Sequence, residues 1–578
     1  VAKAGHAYPQ VEPGVAALAD PRVVTAPARI TVGRALARAR AADARVVVLG
    51  PRRAVRASEL ARAARWGLGP RPALPMAWRE LPTLPDTAGE IEARRHLLAG
   101  APLVLVRRAR RVVGVVDGER VPLPDCESSV LGRLERARDR QGEARLWLLR
   151  VAGKLGEGMG TPAYAVGGFV RDLLLGGAAS PGLSSAPASL PPPSLPDVDL
   201  VVEGDGIAFA RRLAEEIGGT VLVHRGFGTA SIEAGHAPAG AGLDAIALGR
   251  VDVASARRED YEAPGALPVV TSAPLCEDLR RRDFSVNAMA MALAPDRFGR
   301  LLDPLGGQRD VRARRLRSLR PLAFVEDPTR IVRAARYAAR LGLRADAATL
   351  AGIRLAVECA PYPALSGQRL WREIELTAAE PRARAAFELL VRWRAPTIWN
   401  LAGGGSGRLA DTERLAGWAR AAGVAVDPAE LALLALLIGR PPAVVARSLD
   451  RLALTGEPRL RLEAAVLAGP LAGRLAAPRL RPSAIDRMLR PVPAAALLGA
   501  WLRAGARGRR RIQWFLERGR AVRPRLSGED LLALGVPRGP RVGATLDRLR
   551  RLRLDEALGS LAEERELVKE WLTSGKEA

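Results

Sequence analysis

The chain has 578 residues, 48% of them hydrophobic, enough for several domains with buried cores. Its apolar stretch "LALLALLIG" (Leu431–Gly439) falls well short of the roughly 18 residues that span a bilayer, so no membrane partner is expected. Basic residues outnumber acidic ones, 89 to 62, for a net charge of +27. This balance points to a phosphate-rich partner, although the Ala, Gly, Pro and Arg bias also fits a GC-rich genome.

Cys126, Cys276 and Cys359 lie far apart and form neither a metal-type pair nor a disulfide framework. The N-terminal stretch has no basic, apolar, small-residue series, so a cytoplasmic location is expected.

Residues 1–20 read as irregular. Residues 21–123 carry one pattern twice. "VVTAPARITVGRALARARAADARVVVLG" (Val23–Gly50) reads as turn, helix and strand. "ELPTLPDTAGEIEARRHLLAGAPLVLVRRARRVVGVVDGERV" (Glu80–Val121) repeats that order and ends in two strands. The doubled β-α-β-β unit resembles a degenerate pair of CBS modules. The resemblance implies nucleotide sensing, a structural role, or homodimerisation through these modules.

Residues 124–160 read as a helical linker, and 161–320 as an α/β head. Residues 177–196 within the head, rich in Pro, Ser and Ala, are expected to form a disordered loop. A neck over 321–395 and an all-α body over 396–578 follow, with helix breaks at Pro361, Gly403 to Gly407, Pro441, Pro478 and Pro524. The fold class is therefore α+β and multidomain: a small α/β pair, a head with a mixed sheet, and a long helical remainder.

Four segments carry chemistry. In "VGGFVRDLLLG" (Val166–Gly176), Gly167 and Gly168 join a strand to a helix start. Free amides there suit a phosphate, and Arg171 sits one turn on. Alone, the pair reads equally well as a tight turn. In "PDVDLVVEG" (Pro196–Gly204), Asp197 and Asp199 point to one side of a strand, about 7 Å apart. Like charges so close repel unless a cation lies between them. A further acid, Asp252 in "RVDVASAR" (Arg250–Arg257), interrupts another apolar strand. Three such carboxylates suit two Mg²⁺ ions and a nucleotide triphosphate.

In "LRRRDFSVNAMAM" (Leu279–Met291), Asp283 is either a helix cap or an acceptor for a ribose 2′-OH. Arg282 is placed for phosphate, and Asn287 for holding the loop. In "VEDPTRIVRAARYAARLG" (Val325–Gly342), Asp327 and Arg330 are three apart on a helix led by Pro328, with Arg333 and Arg336 further along. Acceptor and donor together match the edges of cytosine and adenine but not of guanine or uracil. A plain helix cap is the other reading of Asp327. His224 and His236 lack metal-type spacing and read as surface or structural residues.

In this order, the segments closely resemble the class II tRNA nucleotidyltransferase and bacterial poly(A) polymerase family. "FGTA" (Phe227–Ala230), "ARREDYEAPGALPVV" (Ala256–Val270), "LLDPLGGQRDVRARRLRSL" (Leu301–Leu319), "LSGQRLWREI" (Leu365–Ile374) and "LSGEDLLALGVPRGPRVGATL" (Leu526–Leu546) extend the likeness over roughly residues 140 to 575. The resemblance implies a polymerase-β-like head that adds C or A from CTP and ATP to the 3′ end of tRNA, without a template. It implies Asp197 and Asp199 as metal ligands with Asp252 as a third catalytic acid. Gly167, Gly168, Arg171, Arg282, Asp283, Asn287, Asp327, Arg330, Arg333 and Arg336 are then nucleotide-binding, and the Arg-rich helices, such as Arg507–Arg511, hold the acceptor and T arms. Two insertions, 177–196 and 233–245, depart from the family pattern. Two other functions remain open: general poly(A) tailing, and a non-catalytic RNA-binding protein that senses nucleotides.

Overall fold

The computed structural model describes residues 14–121, 130–134, 140–175, 198–233, 249–401, 403, 407–421 and 423–574. Asp197, His236 and the segment 177–196 lie outside the described residues, as does nearly all of the insertion at 233–245. The chain divides into two units, Val1–Leu365 and Ser366–Ala578. That boundary falls inside the stretch expected as a neck.

The first unit opens with two small sheets. In the first, β1 (Val23–Thr25), α1 (Val32–Ala41), β2 (Val46–Gly50) and β3 (Arg53–Arg56) lead to α2 (Ala57–Arg65). In the second, β4 (Thr83–Pro85) and α3 (Glu90–Leu98) precede β5 (Leu103–Arg108) and β6 (Arg111–Asp117). Each sheet pairs its first two strands parallel and its last two antiparallel. Val46, Val48 and Ala54 of the first sheet pack with Leu103, Leu105 and Val115 of the second in one cluster with Trp78 and Leu81.

The head is a seven-stranded mixed sheet in the order β15-β14-β7-β8-β11-β10-β9. Its strands are β7 (Ala163–Val166), β8 (Val198–Val202), β9 (Thr220–His224), β10 (Thr229–Glu233), β11 (Val251–Ser255), β14 (Ala290–Ala292) and β15 (Leu301–Leu302). A separate hairpin joins β12 (Arg257–Asp260) to β13 (Val269–Ser272). Among the described residues, the only parallel pair in this sheet is β8 with β11. It is reached through α5 (Gly206–Ile217), whose N-terminus Asp205 caps by accepting from the Ile207 and Ala208 amides. Such a cap is worth about 1 kcal/mol. Gly206 has no room for a side chain, since a Cβ there would lie 2.6 Å from the Ser255 nitrogen. The helix therefore packs hard against β11.

Helix α4 (Gly168–Leu174) follows β7, and α6 (Leu275–Arg281) follows β13. A short helix, Ala323–Glu326, then leads into α7 (Thr329–Leu341), which ends on Gly342 in the left-handed conformation.

The second unit is helical throughout its described residues. "LALLALL" lies in the ten-residue helix Pro428–Leu437, in which Leu431 through Leu437 are all buried. It is a core helix, apolar on every side because it is packed on every side. No described helix is long and apolar enough to cross a membrane. Pro441 directly precedes a helix, while Pro361, Pro478 and Pro524 fall between helices. The "RGRRRI" stretch divides its roles. Arg509 pairs with Asp411 and Arg511 donates to the Leu475 and Ala477 carbonyls, whereas Arg507 and Arg510 are exposed.

Candidate active site

A cleft of about 330 Å³ opens between the head sheet and α7. At one end the chain turns from β7 into α4. Gly167 has φ of +70°, and a Cβ on it would sit 3.2 Å from Arg282 Nη1 and 3.3 Å from Asp199 Oδ2. Glycine is required for the turn and for the close approach of both charged groups. Arg282 is held there by Asp278, which accepts from its Nε at 3.2 Å and its Nη2 at 3.0 Å. Burial raises the fully buried Asp278 carboxyl, but Arg282 and Arg281 outweigh it and hold the group below its ordinary range.

Asp199 on β8 and Asp252 on β11 are partners in the parallel register. Neighbouring strands lie about 4.8 Å apart, so the two carboxylates stand side by side on one face. Val198, Leu200, Val251 and Val253 alternate with them and are buried. Asp252 accepts from Ser231 Oγ at 2.6 Å and Arg250 Nε at 2.9 Å. The two acids are hard oxygen donors side by side on adjacent central strands, the ligand chemistry that suits Mg²⁺. The described residues supply two of the three expected acids, Asp197 lying outside them.

Asp283 is buried and fully engaged. Its Oδ1 accepts from the Phe284 amide at 2.8 Å and Asn287 Nδ2 at 3.3 Å. Its Oδ2 takes Arg333 Nε at 2.8 Å and Nη2 at 2.7 Å. Burial pushes this carboxyl up, but Arg333, Arg330 and Asn287 together bring it below its ordinary value. A carboxylate has about four lone-pair sites, so a 2′-OH reaches Asp283 only by displacing a donor. Asn287 in turn accepts from Arg171 Nη1 at 2.6 Å. Arg171 itself is 3% exposed and forms a two-point pair with Asp172. Its guanidinium is turned inward behind the glycine turn instead of lining the cleft.

At the far end, Arg330 is buried on α7. It donates to the Tyr261 hydroxyl at 3.1 Å and to the Ala323 and Arg281 carbonyls at 3.4 Å, and it lies over the Tyr261 ring. Tyr261 donates onward to Glu259 Oε2 at 3.0 Å. Burial raises the tyrosine's pKa, and Arg330 only partly opposes this, so the hydroxyl stays protonated. Asp327 precedes α7 instead of lying on it. Its Oδ1 accepts from the Thr329 amide and hydroxyl, which is a capping contact. It also lines the cleft, so capping and facing the cleft are combined in one residue.

The cleft thus gathers Gly167, Gly168, Asp199, Arg282, Asp283, Asn287, Asp327, Arg330 and Arg333 from the sequence-predicted set. Asp252 stands beside Asp199 on the sheet, and Arg336 stacks on Tyr337, 5.1 Å from its ring centre. Sequence reasoning missed Glu259, Tyr261, Pro268, Arg281 and Tyr337, which also line it. The one local signal for Tyr261 is an aromatic inside the charged run "RREDYE".

Fold and cleft define a nucleotidyltransferase head joined to an all-α remainder. Residues 163–317 match the Poly A polymerase head domain family. The chain is 32% identical to the CC-adding tRNA nucleotidyltransferase of Deinococcus radiodurans, over 76% of this chain and 96% of that protein. It is 35% identical to the A-adding tRNA nucleotidyltransferase of Geobacter sulfurreducens, over 71% of this chain and 45% of that protein. A solved apo structure of a CCA-adding enzyme superposes with a TM-score of 0.64 at 26% identity, covering 77% of this chain and 99% of that one. The chain belongs to the tRNA nucleotidyltransferase family. It spans about half or less of the length of the A-adding relatives it matches.

Proposed function

We propose that this protein adds C, A or both from CTP and ATP to the 3′ end of tRNA, without a template. The observation that carries this reading is one cleft holding a glycine turn, Asp199 and the base-reading candidates Asp327 and Arg330. Relatives that add A or CC to tRNA support it.

Each end of the cleft has its own task. The Gly168 amide at the start of α4 and the Arg282 guanidinium receive the triphosphate, while the Gly167 amide donates to the Met289 carbonyl at 3.3 Å; close backbone approach and positive charge are the requirements. Arg333, anchored on Asp283, stands where the sugar lies, so the pair reads the ribose. Arg330 supplies donors and Asp327 an acceptor to the base edge. A guanine or uracil carbonyl opposite Asp327 leaves polar groups unpaired, which discriminates strongly.

Asp197, Asp199 and Asp252 are the residues that would hold Mg²⁺. When bound, the ions supply Lewis-acid charge stabilisation at the attacking and leaving oxygens. The RNA 3′-hydroxyl oxygen attacks the α-phosphorus in line as its proton passes to solvent, the bond from the α-phosphorus to the bridging oxygen breaks, and pyrophosphate departs from the opposite side. The chain contributes positioning and fixed charge, with no covalent intermediate.

The test uses purified protein, Mg²⁺, and tRNA transcripts ending before CCA, after C and after CC, each with CTP or ATP. Addition confined to tRNA that stops at the CC or the CCA end supports the proposal. Long A tails on any RNA would make the protein a poly(A) polymerase. No incorporation would leave a nucleotide-sensing RNA-binding protein.

A further inference from the structure

Helix α2 of the N-terminal pair lies against the base end of the cleft. Trp66, just past its last turn, donates from Nε1 to the Glu262 carbonyl at 3.2 Å. Arg62 Nη2 is 3.9 Å from the Asp260 carboxylate. Asp260 and Glu262 flank Tyr261, whose hydroxyl accepts from Arg330. From the same helix, Arg62 Nη1 donates to Glu326 Oε1 at 2.6 Å. Glu326 directly precedes Asp327 and is wholly buried. Its other oxygen meets Arg320 at 2.7 Å and Arg330 at the longer distance of 3.5 Å. The carboxylate is thus divided: Arg62 takes one oxygen, Arg320 the other, and Arg330 is left loosely held by it.

We propose that Arg62 is a positioning residue for nucleotide-base selection, limiting the hold of Glu326 on Arg330 to the long 3.5 Å contact so that the Arg330 guanidinium can turn to the incoming base. This rests on the reading of Arg330 as base-facing. The physical reason is that a buried carboxylate cannot go unpaired. Without Arg62, Oε1 loses its closest donor, and Glu326 turns to its remaining guanidiniums. Arg330 is one of them and is drawn off the base edge. A lysine at position 62 keeps the charge but carries its donors on one nitrogen and has a different reach, so it restores part of the effect.

The full chain is compared as wild type, Arg62→Ala, Arg62→Lys and Arg71→Ala. The last variant breaks a different contact of the N-terminal pair, Arg71 Nη2 to the Glu358 carbonyl at 3.0 Å, and neither residue lines the cleft. Equilibrium binding of ATP, CTP, GTP and UTP is measured by calorimetry, and incorporation by steady-state kinetics. Arg62→Ala is expected to weaken binding of ATP and CTP about tenfold and to narrow their lead over GTP and UTP, with kcat at saturation within about threefold. Arg62→Lys falls between, and Arg71→Ala matches wild type. A folded Arg62→Ala protein with wild-type affinity and discrimination overturns the proposal, as does an Arg71→Ala protein that reproduces the defect. If wild type transfers no nucleotide, the proposed reaction fails, and the binding series still decides the role of Arg62.

Discussion

Asp199 and Asp252 occupy the same level of two adjacent parallel strands, and a Cβ on Gly167 would come within 3.3 Å of the first. Two acids on central strands, one glycine turn and one arginine are therefore close neighbours in the head, and the proposed function assigns the triphosphate to this place.

Asp199→Asn and Asp252→Asn remove one charge each with little change in shape. Both are expected to lower incorporation more than about a hundredfold, because a ligand matters more than the outer-shell groups that orient it. Filter binding of labelled tRNA should change little. Full activity in either variant would remove that residue from the metal-binding set.

Tyr261→Phe deletes the hydroxyl that accepts from Arg330 and donates to Glu259. Arg330 then loses a buried partner worth about 1 kcal/mol, which corresponds to several-fold in affinity. The expected result is a KM for nucleotide raised about fivefold to tenfold with a smaller change in kcat. An unchanged KM would show that Arg330 is set by its contacts with backbone carbonyls alone.

Asp283→Asn keeps the size of the side chain but loses the charge that anchors Arg333. The preference for ATP over dATP should shrink by about tenfold. If the sugar is read through Arg333, Arg333→Ala shows the same loss. A variant pair in which only the Asp283 change relaxes the preference would place the 2′-OH on the carboxylate itself.

Glu59 on α2 gives a pH prediction. It is 7% exposed, and its Oε2 has no hydrogen-bond partner. Burial pushes its carboxyl up to about 7, against the pull of Arg56. The folded-state value is raised, so this group's contribution is fully present below the unfolded value of about 4.3 and is lost as pH rises through about 7. Glu59→Gln mimics the protonated form. It should match wild type near pH 4 and exceed it by about 3–4 kcal/mol at pH 8 in urea unfolding. Parallel pH profiles for the two proteins would mean that Glu59 is neutralised in another way.

The motifs were legible because their geometry is local. A strand of alternating apolar and acidic residues brings Asp199 out of an otherwise buried row, and paired glycines permit the turn that follows β7. Asp327 was legible as either a cap or a base reader; the structure shows the capping contact and puts the residue in the cleft wall. Arg171 was read toward phosphate, yet it braces Asn287 from behind. Its immediate neighbour Asp172 and the distant Asn287 together satisfy it more fully than an open cleft would. Among the body arginines, only burial separates those that tie helices together, such as Arg509, from exposed ones such as Arg510.

By itself, the sequence determined the kinds of group that can meet a nucleotide and the short-range backbone that presents them, since a turn, a cap or a strand face is specified within a few residues. Only the tertiary structure decided who stands behind those groups. Tyr261 comes to Arg330 from 69 residues away and Arg62 to Glu326 from 264. A buried ion pair is chosen by which charges are taken out of water together, and that is a property of packing, which no spacing along the chain encodes.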